Sequence, residues 1–271
     1  MTPDAARRFD LHMHTNRSDG RYDPEEVLAR CAATGLDVIA LTDHDLVAPV
    51  SPGVHTVDGR DIFVIGAAEI SGHHDGHEFH LLVYFPGEIP EEFRTFCTRQ
   101  MQARADRYAG AIEQLDLEGL EGPDEAAKAG ERSLTRLHLA QAMVEAGHAT
   151  HLRDAFNTFR DTQAVPSIAF SFTDAIRMAV THGGITSWAH PPMQHARTYL
   201  KTFVDAGLQG LEAHRPRVSG KDRKTFKKMA KRYNLVLTGG SDWHGWNGHQ
   251  LGLFHVNRVD LEPFLELLSA A

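Results

Sequence analysis

Short apolar runs that end in polar residues alternate along this chain with stretches of helical periodicity. Residues 9–14 (FDLHMH) read as a strand, and its two histidines, His12 and His14, stand two apart and so project from one face. DPEEVLARCAATG (23–35) reads as a helix with marked ends: Asp23 caps it, Pro24 suits its first turn, Glu26 completes a capping box and Gly35 suits the exit. Residues 36–45 form a buried-strand run that finishes on Asp43 and His44, and 61–71 repeat the pattern around Glu69. HEFHLLVYF (77–85) is a further strand, carrying His80.

Between about 90 and 165 the pattern becomes helical. EEFRTFCTRQMQARADRYAGAIEQL, SLTRLHLAQAMVEAG (capped by Ser133, stopped by Gly147) and HLRDAFNTFRD predict three helices without a convincing strand among them. The alternation then resumes: helix 171–184, strand 185–191, a helix, strand GLEAH (210–214), the helix SGKDRKTFKKMAKRYN and strand 235–245, with LGLFHVN and LEPFLELLSAA closing the chain. The expected fold class is α/β: a parallel sheet of about seven strands closed into a barrel, residues 1–90 and 165–271, with a small all-helical insertion, 91–164. In such a barrel the working residues lie at the C-terminal strand ends.

Composition narrows the setting. A net charge of −8 over 271 residues gives no general attraction to nucleic acid or membrane. Two cysteines, Cys31 and Cys97, do not make a disulfide framework and point to a reducing compartment. The first residues, MTPDAARRFD, lack the apolar segment of a secretory signal, and no apolar run approaches the ~18 residues of a membrane span. The expectation is a cytoplasmic protein. The unusual feature is 18 histidines.

Those histidines recur at equivalent places. Strand ends or the loops after them supply His12, His14, Asp19, Asp43, His44, Glu69, His80, His190, His214, Asp242 and His244. A single histidine or aspartate at a strand end is ordinarily structural or a helix cap. Six or seven such strand ends converging on one barrel face are a poor coincidence. Imidazole and carboxylate without thiolate suit Mn²⁺, Fe or Zn²⁺ rather than a structural zinc site.

The motifs H-x-H, S-D-G, TDHD, GAAEIS, AHP and SDWH, in this order along nearly the whole chain, resemble the PHP superfamily of metal-dependent phosphoesterases (the polymerase and histidinol phosphatase group). The resemblance implies a distorted, TIM-like (β/α)7 barrel, with insertion 91–164 covering its active site, and two or three divalent ions. The first would be held by His12, His14, Glu69 and Asp242, the second by Glu69, His80 and His190, and the third by Asp19, His44 and His244. SLTRLHLAQAMVEAG resembles the insertion of the branch that acts on nucleoside 3′,5′-bisphosphates and short RNA 5′ ends. By that likeness Arg136 and His138 contact substrate phosphate. The implied reaction is hydrolysis of a phosphate ester by a metal-bridging hydroxide. Glu69 would bridge the metals, Arg136 and His138 would neutralise developing charge, and Asp242 or an unliganded histidine would handle protons. The implied partners are a small phosphorylated substrate or short RNA, and no membrane.

Three stretches depart from that branch. AHPPMQHAR lacks the usual Gly-Arg after AHP, leaving Arg197 as a substitute. EAHRPR places His214, Arg215 and Arg217 where they can supply positive charge to substrate, and 46–61 lacks the helix expected after the second strand. The basic helix GKDRKTFKKMAKRY has an apolar stripe at Phe226, Met229, Ala230 and Tyr233. It reads first as an outer barrel helix with a solvated face, and second as a landing surface for RNA. In SGHHDGHEFH, His73, His74 and His77 read as loop residues; Trp243 and Trp246 read as packing residues able to stack a base. Two rivals remain: hydrolysis of another ester or an amide, and a metal-loaded regulatory module without turnover.

Overall fold

The computed structural model describes residues 7–162, 165, 170–246, 248 and 250–270. Seven strands wrap into a nearly closed barrel: β1 (Arg8–Met13), β2 (Val38–Leu41), β4 (Arg60–His74), β5 (His77–Phe85), β6 (Ile185–Trp188), β7 (Gly210–His214) and β8 (Val236–Gly239). Two flanking strands complete the sheet, β3 (Gly53–Val57) on β4 and β9 (Val256–Asn257) on β1. The fold is the distorted TIM-like barrel that the resemblance implies.

The expected all-parallel arrangement needs correction. β1–β2–β4 and β6–β7–β8 are parallel, but β5 runs antiparallel to both of its neighbours. The cause is local. Asp75 and Gly76 both have positive φ and form the two-residue turn of a hairpin in which His74 faces His77. The four-histidine segment is therefore the tip of a β4–β5 hairpin rather than a loop. A second Asp-Gly turn, Asp58–Gly59, joins β3 to β4 and occupies the stretch where a helix is missing.

Helices α1 (Pro24–Thr34), α6 (Phe172–Thr181), α7 (Met193–Asp205), α8 (Gly220–Tyr233) and α9 (Arg258–Ala270) cover the barrel. α1 ends as predicted, Asp23 accepting from the Glu26 amide and Gly35 turning left-handed. The Glu26 carboxylate, however, pairs with Arg30. One apolar cluster joins β4–β7 to α6–α8; another joins β1, β2, β5 and β6 to α9. Between β5 and α6 lie α2 (Glu91–Gln114), α3 (Glu125–Ala129), α4 (Arg136–Glu145) and α5 (Leu152–Thr162), around a small core of their own that includes Leu139, Met143 and Phe159. The cap of α4 is Thr135, not Ser133: it accepts from the Leu137 amide while the His138 ring accepts from the Thr135 amide. The boundary expected at 164 falls on residues 163–164, outside the described residues, as do residues 1–6 of the N-terminal reading.

The barrel closes at its C-terminal rim. The segment after β8 pairs with the end of β1 through Asp242 N–His12 O (2.8 Å) and His14 N–Trp243 O (2.9 Å). Gly240 permits that approach, since a Cβ there would lie 2.4 Å from the His12 backbone nitrogen.

Candidate metal centre

His12 ends the buried face of β1, and His14 follows where the chain leaves the strand. The next loop is shaped by Asp43 at the end of β2. Its carboxylate accepts from Thr15 N, Thr15 Oγ1 and Ser18 Oγ at 2.8, 2.8 and 2.6 Å. Asp43 thus orders the loop carrying Asp19 and belongs to none of the donor groups below. Glu69 sits mid-strand on β4, fully buried. His80 comes from β5, His190 from the turn after β6, and Asp242 and His244 from the segment after β8.

These nine side chains meet. Donor atoms within ion-binding reach form four overlapping groups: His14, Asp19, His44 and His244; His12, His190 and Asp242; His12, His14 and Glu69; and His44, Glu69 and His80. Glu69 is central, with one oxygen 3.4 Å from His12 Nε2, 3.2 Å from His80 Nδ1 and 3.1 Å from His190 Nε2. The other is 3.3 Å from His14 Nε2 and 3.1 Å from His44 Nδ1. His190 and Asp242 reach the cluster from left-handed backbone, φ 31° and 55°, a strained conformation typical of functional positions.

The donors fit a cation. His12 Nε2, His14 Nε2, His44 Nδ1 and Glu69 Oε2 are buried without a hydrogen-bond partner, and such orphans are costly unless something else satisfies them. Burial opposes ionisation of Glu69, but His12, His44 and His80 hold its carboxyl well below the usual range. Burial also opposes charge on His80, yet Glu69 and Glu78 push it up to about 10. The pocket is short of positive charge, and protons or metal ions supply it.

Outer carboxylates orient the imidazoles. His12 Nδ1 lies 2.8 Å from Glu212 Oε1, so its N–H donates there and Nε2 is left facing the cluster. Glu212 Oε2 also accepts from His190 N at 2.6 Å. Glu78 Oε1 stands 3.6 Å from His80 Nε2 and accepts from Arg136 Nη2 at 2.8 Å; Glu78 Oε2 lies 3.4 Å from Arg107. A buried guanidinium ties the insertion to this assembly. Arg104 of α2 donates to Asp45 Oδ2 (2.6 Å), Ser71 Oγ (2.7 Å) and Leu134 O (3.1 Å), one residue from His44, two from Glu69 and one from the α4 cap.

The expected substrate residues scatter more. Arg136 opens α4 and reaches the cluster only through Glu78. His138 is spent on the capping box, and burial with Arg132 nearby lowers it to about 4. His214 turns away: a register slip between Glu212 and His214 leaves Glu212 on the cluster and sets His214 Nε2 3.7 Å from Asp260 of α9. Arg215 and Arg217 line a cavity of about 700 Å³ whose floor includes Asp19, His190, Asp242 and His244. Its apolar walls come from Leu137 and Phe156 of the insertion and Trp243, Trp246 and Phe254 of the barrel. Arg197 is exposed on α7 and does not line it. Glu212, Glu78, Asp45 and Arg104 were not singled out from sequence. Glu78 and Glu212 carry the same signal, each two residues before a singled-out histidine (His80, His214) on one strand face.

A (β/α)7 barrel gathering imidazoles and carboxylates at this rim defines a metal-dependent phosphoesterase. The chain belongs to the PHP domain family, whose profile matches residues 10–152. It is 30% identical to the phosphoribosyl 1,2-cyclic phosphate 1,2-diphosphodiesterase of Eggerthella lenta, over 87% of this chain and 94% of that one. It is 28% identical to the 5′-3′ exoribonuclease Rnm of Escherichia coli (87% and 85%) and 29% to the 3′,5′-nucleoside bisphosphate phosphatase of Chromobacterium violaceum (94% and 93%). A solved structure described as an amidohydrolase from Chromobacterium violaceum, with bound sulfate and no metal, superposes with a TM-score of 0.76 at 25% identity, covering 97% of this chain and 96% of that one.

Proposed function

We propose that this protein hydrolyses phosphate monoesters of nucleotides, such as nucleoside 3′,5′-bisphosphates, or of short RNA 5′ ends, with two or three Mn, Fe or Zn ions. The observation that carries the reading is the nine-residue donor cluster opening into a cavity with two arginines and aromatic walls. One relative is named as a 3′,5′-nucleoside bisphosphate phosphatase, and two others as a cyclic phosphate diphosphodiesterase and a 5′-3′ exoribonuclease. Two free, buried cysteines fit a cytoplasmic setting.

In this reading His12, His14, Glu69 and Asp242 would hold one ion, Glu69, His80 and His190 a second, and Asp19, His44 and His244 a third; the donor atoms also bring His44 beside Glu69 and His80, and His190 beside His12 and Asp242. Bound ions supply water activation and neutralise charge on the phosphoryl group. The chain does the rest. Glu212 fixes the tautomer of His12, and the orphaned face of Glu69 points into the cluster. Arg215 and Arg217 offer guanidiniums to a phosphate in the cavity, and Trp246, Leu137 and Phe156 offer it an apolar wall fit for a base. Arg136 joins them by exchanging Glu78 for substrate. Asp242, at the rim between cavity and cluster, or a histidine outside the ligand set would handle protons in this reading. Residues 91–164 act as the insertion over this mouth.

The test is turnover of Mn²⁺-loaded protein on nucleoside 3′,5′-bisphosphates and on carboxylic ester and amide substrates. Phosphate release is expected, and it is lost in His14→Ala together with part of the bound metal. Metal-loaded protein inert toward phosphate esters, or His14→Ala with full activity and metal content, overturns the reading.

A further inference from the structure

Hydrolysis of a mononucleotide leaves one feature unused, the stripe of positive charge on α8. At 3.6 residues per turn Lys221, Lys224, Lys228 and Lys231 fall on one face of the helix, and all four are exposed. Phe226 and Ala230 on the opposite face are buried against the barrel. Among the described residues Lys227 pairs with Asp260 at 3.3 Å, whereas no acidic side chain pairs with the four stripe lysines. Like charges three and four apart weaken a helix, and the chain as a whole carries −8, so overall composition does not account for the run. Its position does. α8 begins three residues after Arg217, which lines the cavity with Arg215. Positive groups therefore lead from the mouth of the candidate site along the barrel flank, the four lysines spanning about 15 Å.

We infer that this face of α8 is a docking strip for the backbone of single-stranded RNA whose 5′ end enters the cavity. The inference rests on the proposed phosphoesterase reading and extends it from mononucleotides to chains. The partner is a polyanion with regularly spaced charges, complementary to a row of lysines with no acidic partner. A lipid surface fits less well, because the apolar face that would enter a bilayer is already packed on the barrel.

The triple variant Lys224→Gln/Lys228→Gln/Lys231→Gln tests this. Fluorescence anisotropy follows a 5′-phosphorylated, labelled hexanucleotide over a salt series, and a melting curve verifies the fold. Its Kd is expected to rise by about two to three powers of ten near 50 mM salt, and the slope of log affinity against log salt to fall by about 2, roughly 0.7 for each lysine. KM for a nucleoside 3′,5′-bisphosphate is expected to stay within about twofold, since mononucleotide does not reach the strip. An unchanged Kd and slope, or an equal loss on the mononucleotide, overturns the inference. So does loss of phosphatidylserine-vesicle binding with RNA binding intact. Oligonucleotide binding is measured without turnover, so an inactive wild type defeats the proposed function while leaving the strip open to judgement.

Discussion

Removing the Arg104 guanidinium tests how the insertion is fastened to the donor cluster. Arg104 is 3% exposed and Asp45 wholly buried, so in Arg104→Met the Asp45 carboxylate stays in the interior without its cation. The bonds to Ser71 Oγ and Leu134 O go as well. Breaking a buried pair on one side costs about 3–5 kcal/mol, chiefly from the stranded charge. At roughly 2–4 °C per kcal/mol for a chain approaching this size, melting should drop by about 10 °C. Adding Asp45→Asn removes the stranded charge, and the double variant should recover more than half of the loss. Asp45 follows His44 and its amide donates to Glu69 O, so metal affinity measured by calorimetry should weaken in the single variant and partly return in the double. A melting temperature within about 2 °C of wild type for Arg104→Met, or no recovery on adding Asp45→Asn, refutes the claim that this pair clamps the two parts together.

Glu212→Gln keeps the shape of the side chain but removes the charge that orients His12. Divalent-ion affinity should fall about 10–100-fold with the melting temperature of the metal-free protein little changed, and unaltered affinity by titration would remove Glu212 from the site. His138 is held near 4 instead of its ordinary 6.5, so the unfolded chain gains a proton between those values that the folded one does not. Stability should therefore decline as pH falls from 6.5 toward 4, by at most about 3 kcal/mol from this group. His138→Gln retains a capping box, and urea titrations should show a flatter acid limb; a parallel limb counts against the assignment. Saturating Mn²⁺ at about 100 times its Kd should add about 2.7 kcal/mol, and EDTA should reverse the resulting rise in melting temperature.

Much of the barrel is legible because its strands are compact apolar runs and several of its helices carry side-chain caps, as Asp23 does for α1, Ser171 for α6 and Ser219 for α8. The candidate donors are legible for a related reason: a barrel brings strand ends together, so a histidine or carboxylate recurring there is conspicuous at any sequence distance. Direction of the fifth strand is less visible, although the signal exists. Asp58–Gly59 and Asp75–Gly76 are two-residue turn sequences between apolar runs, and each makes a hairpin. On β7 the sequence cannot choose between Glu212 and His214, because period-two alternation puts both on one face and only the register slip against β8 separates them. Arg104 lies on a helix 59 residues from its partner Asp45, with nothing local to mark it as buried.

The seam of the barrel has a bearing on synthesis. At the working end, its first strand and the segment after its last are sewn together by the amides of His14 and Asp242. A chain emerging from the ribosome can pair its first strands early, but it lacks two of its nine donors until residues 242 and 244 have left the tunnel. Completing the ring and completing the cation cradle are one event, so an intermediate stalled before that point should neither sequester ions tightly nor hydrolyse anything.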